Sequence, residues 1–400
     1  MKAACSTMVS MAQSHESATP IPLHSCFRSL AQRAMPWLVA SSALAIAACA
    51  PMPVAPERKP VDVVALVFPP PPDEPRFVYE RSLHGSTDVA AEDANVKLRQ
   101  MFTGEATKSG EGLGKPYAVA VFQGRVFVSD TVRRSVSVFD FPNQRFYRIG
   151  DDGPGQLSKP LGLDVDRAGN LYVADATAKA VVVFDKDGKF LRRIGGAKWF
   201  TRLASVTVDP KGDRMYVVDV GGVSSTDHRV RVFSPVDGAH LFDFGSRGSG
   251  PGELNFPYDV AVGKEGRLYV VDTGNFRIQI FDRDGKYLKS FGSVGKQSGN
   301  FARPKEIAAD AEGNVYVIDS EQGNFQIFNA DGELLMFIGQ HDERGGPARY
   351  MLPTGIHVDE DGRVYVVDQF FRKVDVFRPA RLKPEQGYLA AKNKPGTVKK

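Results

Sequence analysis

Val126-Phe127-Val128-Ser129-Asp130, Leu171-Tyr172-Val173-Ala174-Asp175, Met215-Tyr216-Val217-Val218-Asp219, Leu268-Tyr269-Val270-Val271-Asp272, Val315-Tyr316-Val317-Ile318-Asp319 and Val364-Tyr365-Val366-Val367-Asp368 are six copies of one pattern. Each is an apolar residue, an aromatic, two apolar or small residues, then aspartate. The aspartates recur every 44 to 53 residues. A period of that length built on strand-type residues means one small sheet per repeat, and such sheets stack into a ring or array.

Three further signals surround each copy in fixed order. Upstream lies a strand usually opened by proline, as in Pro116-Tyr117-Ala118-Val119-Ala120-Val121 and Pro160-Leu161-Gly162-Leu163-Asp164-Val165. Downstream lies an alternating strand ending in Phe139, Phe184, Phe233, Phe281, Phe328 or Phe377. A fourth strand then ends at Gly150, Gly195, Gly245, Gly292 or Gly339. Period-two alternation and β-branched enrichment make these strands rather than helices. Between them stand tight-turn pairs such as Asp187-Gly188, Asp284-Gly285 and Asp361-Gly362, which supply the positive φ that hairpins need. Six four-stranded antiparallel units predict an all-β fold, a six-bladed β-propeller over residues 76–380.

The sixth unit lacks a fourth strand, because Phe377 runs into Arg378-Pro379 and a polar segment. An orphan edge is an aggregation hazard, so the ring should close with a strand from elsewhere. Residues 76–85 (Arg76-Phe77-Val78-Tyr79-Glu80-Arg81-Ser82-Leu83-His84-Gly85) match the fourth-strand pattern, terminal glycine included. A helix is expected over residues 88–102, capped by Ser86-Thr87 and ended at Gly104.

The pattern resembles the NHL-repeat propellers, best at Asp272-Thr273-Gly274-Asn275-Phe276-Arg277-Ile278-Gln279-Ile280-Phe281 and again at His228-Arg229-Val230. That resemblance implies the propeller fold. It does not choose an activity, since similar propellers serve as protein-binding sensors, RNA-binding modules, lyases and lactonases.

The front of the chain reads as an address. Trp37 to Ala48 is a short apolar run behind Arg28 and Arg33, ending Ile46-Ala47-Ala48-Cys49. A basic flank, a brief apolar core and small residues before the cut describe a secretory signal over residues 1–48. Ile-Ala-Ala-Cys resembles a bacterial lipobox, which implies a lipidated Cys49. Ala50 after it implies, by likeness to Gram-negative lipoproteins, the outer membrane facing the periplasm. Residues 49–75 are proline-rich and read as a tether, and residues 381–400 as a polar, basic, solvated tail. The three cysteines (Cys5, Cys26 and Cys49) all lie ahead of the propeller, so no disulfide and no catalytic thiol is expected within it. With 51 basic and 47 acidic residues, bulk charge argues against a nucleic-acid partner.

Irregular length falls on one face only, where strand two meets strand three and blade meets blade. Val220 to Asp227 lengthens the third unit, and Gln340 to Tyr350 enlarges the approach to the sixth. Function usually lives on loops held by a rigid scaffold. The repeated aspartates could suggest a cation ring, but a residue repeated in every unit reads as architectural, accepting backbone N–H groups in the turn after strand two. Basic residues before strand three, including Arg134, Lys179, Arg229, Arg277, Arg372 and Lys373, are expected to pair with those aspartates between blades. The alternative is a positive rim for an acidic partner or an anionic glycan. Together with His228, His341, Arg344, Arg349 and Tyr350 they form the candidate partner face. His228, His341 and His357 are the only candidates for a calcium or zinc site, and no close spacing ties them together. Catalytic motifs are absent: no Gly-x-Ser-x-Gly elbow and no His-Glu-x-x-His. The reading is a monomeric, lipid-anchored envelope protein, free of cofactor, that binds a protein or peptide. Its alternative is a metal-dependent lyase or hydrolase at the channel mouth.

Overall fold

Six antiparallel sheets form the ring, in a computed structural model that describes residues 65–89 and 110–390. Blade one is Pro116–Phe122, Arg125–Asp130, Ser135–Asp140 and Arg145–Ile149. Blades two to five repeat this order from Pro160, Leu203, Pro257 and Pro304. The first strand of each blade packs beside the first strand of the next, and Pro353–Val358 of blade six returns to Pro116–Phe122 of blade one. These six strands line a central channel.

The sequence pattern maps onto burial. Second and third strands are buried on both faces, because each blade is covered by a neighbour on either side; Leu171–Asp175 and Ala180–Phe184 have no exposed residue. Fourth strands form the outer wall and alternate, as Leu334–Ile338 does with Leu335 and Phe337 outward. The repeated aromatic (Phe127, Tyr172, Tyr216, Tyr269, Tyr316, Tyr365) and the phenylalanine that ends strand three are all buried. They sit in six apolar clusters, one per blade junction. At the last junction Val119, Val126 and Val128 of blade one pack with Tyr365, Val367 and Val374 of blade six.

Closure by the N-terminal segment is observed. Phe77–Leu83 pairs antiparallel with Lys373–Pro379, from Phe77 opposite Pro379 to Leu83 opposite Val374. A fifth strand, Val67–Phe68, then pairs with Val78 and Phe77, and the Phe68 ring meets the Phe377 ring edge-on at 5.7 Å. The tether expected to run to residue 75 therefore docks before it ends, because Val67 and Phe68 give it two apolar side chains to bury. At the other end, Leu389 is 2% exposed and packs with Leu83 and Val126, so one apolar anchor ties residues 381–390 to the ring while most of their side chains remain exposed. Of the helix expected over 88–102, the described part is one 3-10 turn, Ser86–Asp88; residues 90–109 lie outside the described residues. The signal, Cys49 and residues 391–400 also lie outside them.

Candidate functional site

The six repeated aspartates are fully buried and hold turns together. Asp130 accepts the backbone N–H of Gly114, Lys115, Val132 and Arg133. Asp175 does the same for Ser158, Lys159, Thr177 and Ala178, and Asp319 for Ala302, Arg303, Glu321 and Gln322. Each carboxylate thus ties the linker before its blade to the turn between strands two and three. This is the architectural role expected of them.

The expected pairing with basic residues is mostly wrong. Among the described residues, only Arg277 makes a close ion pair with a repeated aspartate, Asp272 at 2.8 Å, and within one blade rather than between two; Arg231 stands 3.8 Å from Asp219. The residue four after the aspartate explains why the others stand where they do. Arg134, Lys179, Phe276 and Arg372 all have φ near +50°, and Gly323 holds the same place in blade five at +66°. The turn needs a left-handed residue there, and the long side chain projects outward as a consequence. Arg229 pairs instead with Asp227 at 2.7 Å.

Three other expected face residues are buried. Tyr350 is fully enclosed beneath the loop that precedes blade six, and Lys373 is 3% exposed, with its Nζ 2.6 Å from Asp375 and 4.9 Å from the Tyr350 ring centre. Asp375 also accepts the Ser82 hydroxyl at 2.5 Å, so this ion pair fastens the closing strand. His228 is buried as well. Its Nδ1 accepts the Phe256 N–H at 3.1 Å and its Nε2–H points to the Gly222 carbonyl, which pins the blade-three insertion. Arg344 and Arg349 do reach the surface, steered by Asp342, which accepts from both. Hydrogen bonds from Arg344 and then Arg349 hold the Asp342 carboxyl well below its usual range.

What the irregular face does expose is apolar. Val132 (65% exposed), Val223 (74%), Val294 (68%) and Phe370 (57%) stand in the turns of blades one, three and six and in the linker after blade four. Arg134, Arg344, Arg372 and His341 are exposed on the same face. Among the described residues, the opposite face shows two such side chains, Val236 in a hairpin and Tyr388, which lies beside the Gly124 hairpin.

The three histidines proposed as a metal set occupy three different settings. His228 is locked in the blade-three insertion, His341 is exposed in the loop before blade six, and His357 lies in the first strand of blade six. Among the described residues no group of three or more His, Cys, Asp or Glu is placed to hold a metal.

The channel is a second site, which sequence reasoning passed over. A cavity of about 310 Å³ is lined by the first strands of all six blades and by their hairpin residues Phe122, Arg167, Pro210 and Glu360, so it opens on the hairpin face. At the other end Lys305 Nζ lies 4.8 Å from the Tyr258 ring centre and 5.7 Å from that of Tyr117. Those tyrosines belong to blades four and one, directly opposed in the ring, so the cluster stops the channel on the loop side. The result is a cup. Its wall carries three carboxyls on the first strands, and Asp166, Asp209, Asp359 and Glu360 line its mouth. Asp164 accepts the Thr207 hydroxyl and the Val208 N–H, both at 2.8 Å; Asp259 accepts the Ser205 hydroxyl at 2.5 Å and the Ile307 N–H at 2.9 Å. Glu306 accepts the Ile356 N–H at 3.1 Å. Each therefore bridges to the first strand of the following blade. Burial pushes Asp164 and Asp259 up to about 6 and Glu306 well above its usual range, and pushes His357 down to about 4. The signal was an acidic residue inside an otherwise apolar first strand.

Comparison with known proteins places these observations. Residues 254–281, which span the first three strands of blade four, match the NHL repeat model, and residues 163–225 match a family model described as a 6-bladed beta-propeller. Human NHL repeat-containing protein 3 is 38% identical over 85 residues, 21% of this chain and 23% of the relative. The chain therefore aligns with under a quarter of that relative's length. Among solved structures, a Bacteroides thetaiotaomicron protein of unknown function is similar with TM-score 0.55 at 16% identity, over 74% of this chain and 75% of its own. A gluconolactonase from Xanthomonas campestris is similar with TM-score 0.51 at 18% identity, over 67% of this chain and 86% of its own. At such identities the likeness is one of fold.

Proposed function

We propose that this chain, an NHL-repeat six-bladed β-propeller, is a binding protein that engages a protein or peptide partner on its loop face. The observation that carries the reading is the exposure of Val132, Val223, Val294 and Phe370 on one face. Apolar side chains scattered singly are ordinary, but several on the irregular face of a rigid ring, interspersed with arginines, have the composition of an interface. The exposed Arg134, Arg344 and Arg372 favour a partner with acidic residues beside its apolar ones.

The same proposal places the ring at the cell envelope, tethered by lipid on Cys49 with the outer membrane as its address. Its support is the run from Arg28 to Cys49. Replacing Cys49 by Ala should abolish incorporation of a labelled lipid precursor and leave the leader uncleaved; labelling that persists in the variant would contradict the anchor. For the partner face, the test compares capture of envelope components by three full-length chains. The wild type and Val236→Glu should retain the same components, and the double variant Val223→Glu, Phe370→Glu should lose them by about tenfold or more. Retention by the double variant would sink the reading.

A further inference from the structure

We propose that the channel cup is a binding site for a small organic ammonium ion, with Glu306 as its principal acceptor. One oxygen of Glu306 is used: Oε2 takes the Ile356 N–H. The other, Oε1, is buried and has no hydrogen-bond partner among the described residues, and Glu306 is one of the residues that line the cup. Glu306 as a whole is 6% exposed. An orphaned carboxylate oxygen in such a place is costly, and a donor brought by a ligand would remove the cost.

The surroundings select the donor. Two further carboxyls line the same cup, Asp259 of the adjacent blade four and Asp164 of blade two across the ring, with the Ser205 and Thr207 hydroxyls of blade three between them. His357 of blade six, with its pKa pushed down to about 4, is neutral at physiological pH. Lys305, on the same strand as Glu306, has its amine over the Tyr117 and Tyr258 rings at the stopped end. Arg167 is the cation at the mouth. The cup therefore presents three acids and no resident cation in its wall, and Asp166, Asp209, Asp359 and Glu360 stand with Arg167 at its mouth.

A metal fits poorly, because Asp164 and Asp259 already accept O–H and N–H donors and no triad of ligating groups stands close enough together. A primary ammonium fits better. It carries three donors, tolerates acceptors set further apart than metal ligands, and has an apolar stem for Val119, Leu163, Val206, Val260 and Ile307 on the wall. The volume, about 310 Å³, lies at the small end for a ligand pocket, which suits a short alkylamine rather than a peptide.

Because the cup opens on the hairpin face, this inference stands apart from the partner surface, and its failure would leave that reading untouched. The test is calorimetric titration of the full chain in detergent at pH 8 with n-butylammonium, protonated there as a lysine side chain is. Neutral n-butanol and calcium chloride are the comparisons. Saturable, one-to-one binding of n-butylammonium is expected, with none for butanol. Glu306→Gln, which keeps the shape, should weaken it about tenfold or more, and Asp259→Asn should weaken it too. Binding should also release protons, since the ligand favours ionised carboxyls. Absence of ammonium binding to the wild type would overturn the proposal. So would unchanged binding by a Glu306→Gln chain that melts normally, or calcium uptake lost in that variant.

Discussion

Arg363 stands in the first hairpin of blade six with its side chain fully buried. Its guanidinium reaches Glu80 of the closing strand at 2.8 Å, Asp361 at 2.9 Å and the Gln386 carbonyl of the C-terminal segment at 2.9 Å. One side chain thus joins the closing strand and the segment after strand three to the last blade. Removing one partner of a buried pair strands the other charge, so Arg363→Ala should cost about 3–5 kcal/mol in urea unfolding. Arg267→Ala, at the matching hairpin of blade four where the side chain is 36% exposed, should cost less than about 0.5 kcal/mol. Equal costs would refute the clasp. Nothing in the sequence separates these two arginines, because the partners of Arg363 come from residues 80 and 386. The buried acids make a second prediction at this scale. Asp259 has its folded pKa raised from 3.8 to about 6, so the folded state holds its proton more tightly and this group costs stability as pH rises from about 4 to 6. His357, lowered from 6.5 to about 4, has the opposite sign and costs stability as pH falls through that window. Relative to wild type, Asp259→Asn should gain stability toward pH 7 and His357→Gln toward pH 4. Thermal unfolding of the three chains at pH 4, 5, 6 and 7 reads both slopes, and parallel curves would refute them.

The closing strand is the element on which the ring most visibly depends. Phe77 and Leu83 are buried, each worth about 1.5–3 kcal/mol, and their strand covers the free edge of Lys373–Pro379. A chain beginning at residue 110 should therefore aggregate or melt well below the full chain, whereas one beginning at Ala50 should be soluble. A shorter chain that stays monomeric with an unchanged melting temperature would show that closure contributes nothing. This strand could be read in advance because it carries a whole fourth-strand pattern, from Phe77 to Gly85. Val67–Phe68 could not, being two residues in a proline-rich run whose pairing depends on the strand that follows. Nor could the docking of Leu389, a single apolar anchor in a polar segment. Local periodicity reveals an element only when it is long enough to show a period.

Across the whole molecule, repetition made the scaffold legible and hid the sites. Six copies of strand and turn give the fold, and the repeated aspartates are scaffold because every blade needs them. The basic residues four positions after those aspartates looked like a binding rim, yet their place follows from a left-handed turn that Gly323 fills equally well. Tyr350, Lys373 and His228 stood in loop sequence but are buried, since long loops on a ring fold back and build small cores of their own. The channel acids break the repeat, each in its own blade, and only the ring brings Asp164, Asp259 and Glu306 to one wall. The central claim concerns faces: a macromolecular partner sits on the loop side. Photo-crosslinking from single positions in cells tests it most directly, with the reactive side chain placed at Val132, Val223, Phe370 or, on the other face, Val236. The account predicts one discrete adduct from the three loop-face positions and none from Val236. Adducts arising from Val236 alone, or equally from all four, would contradict it.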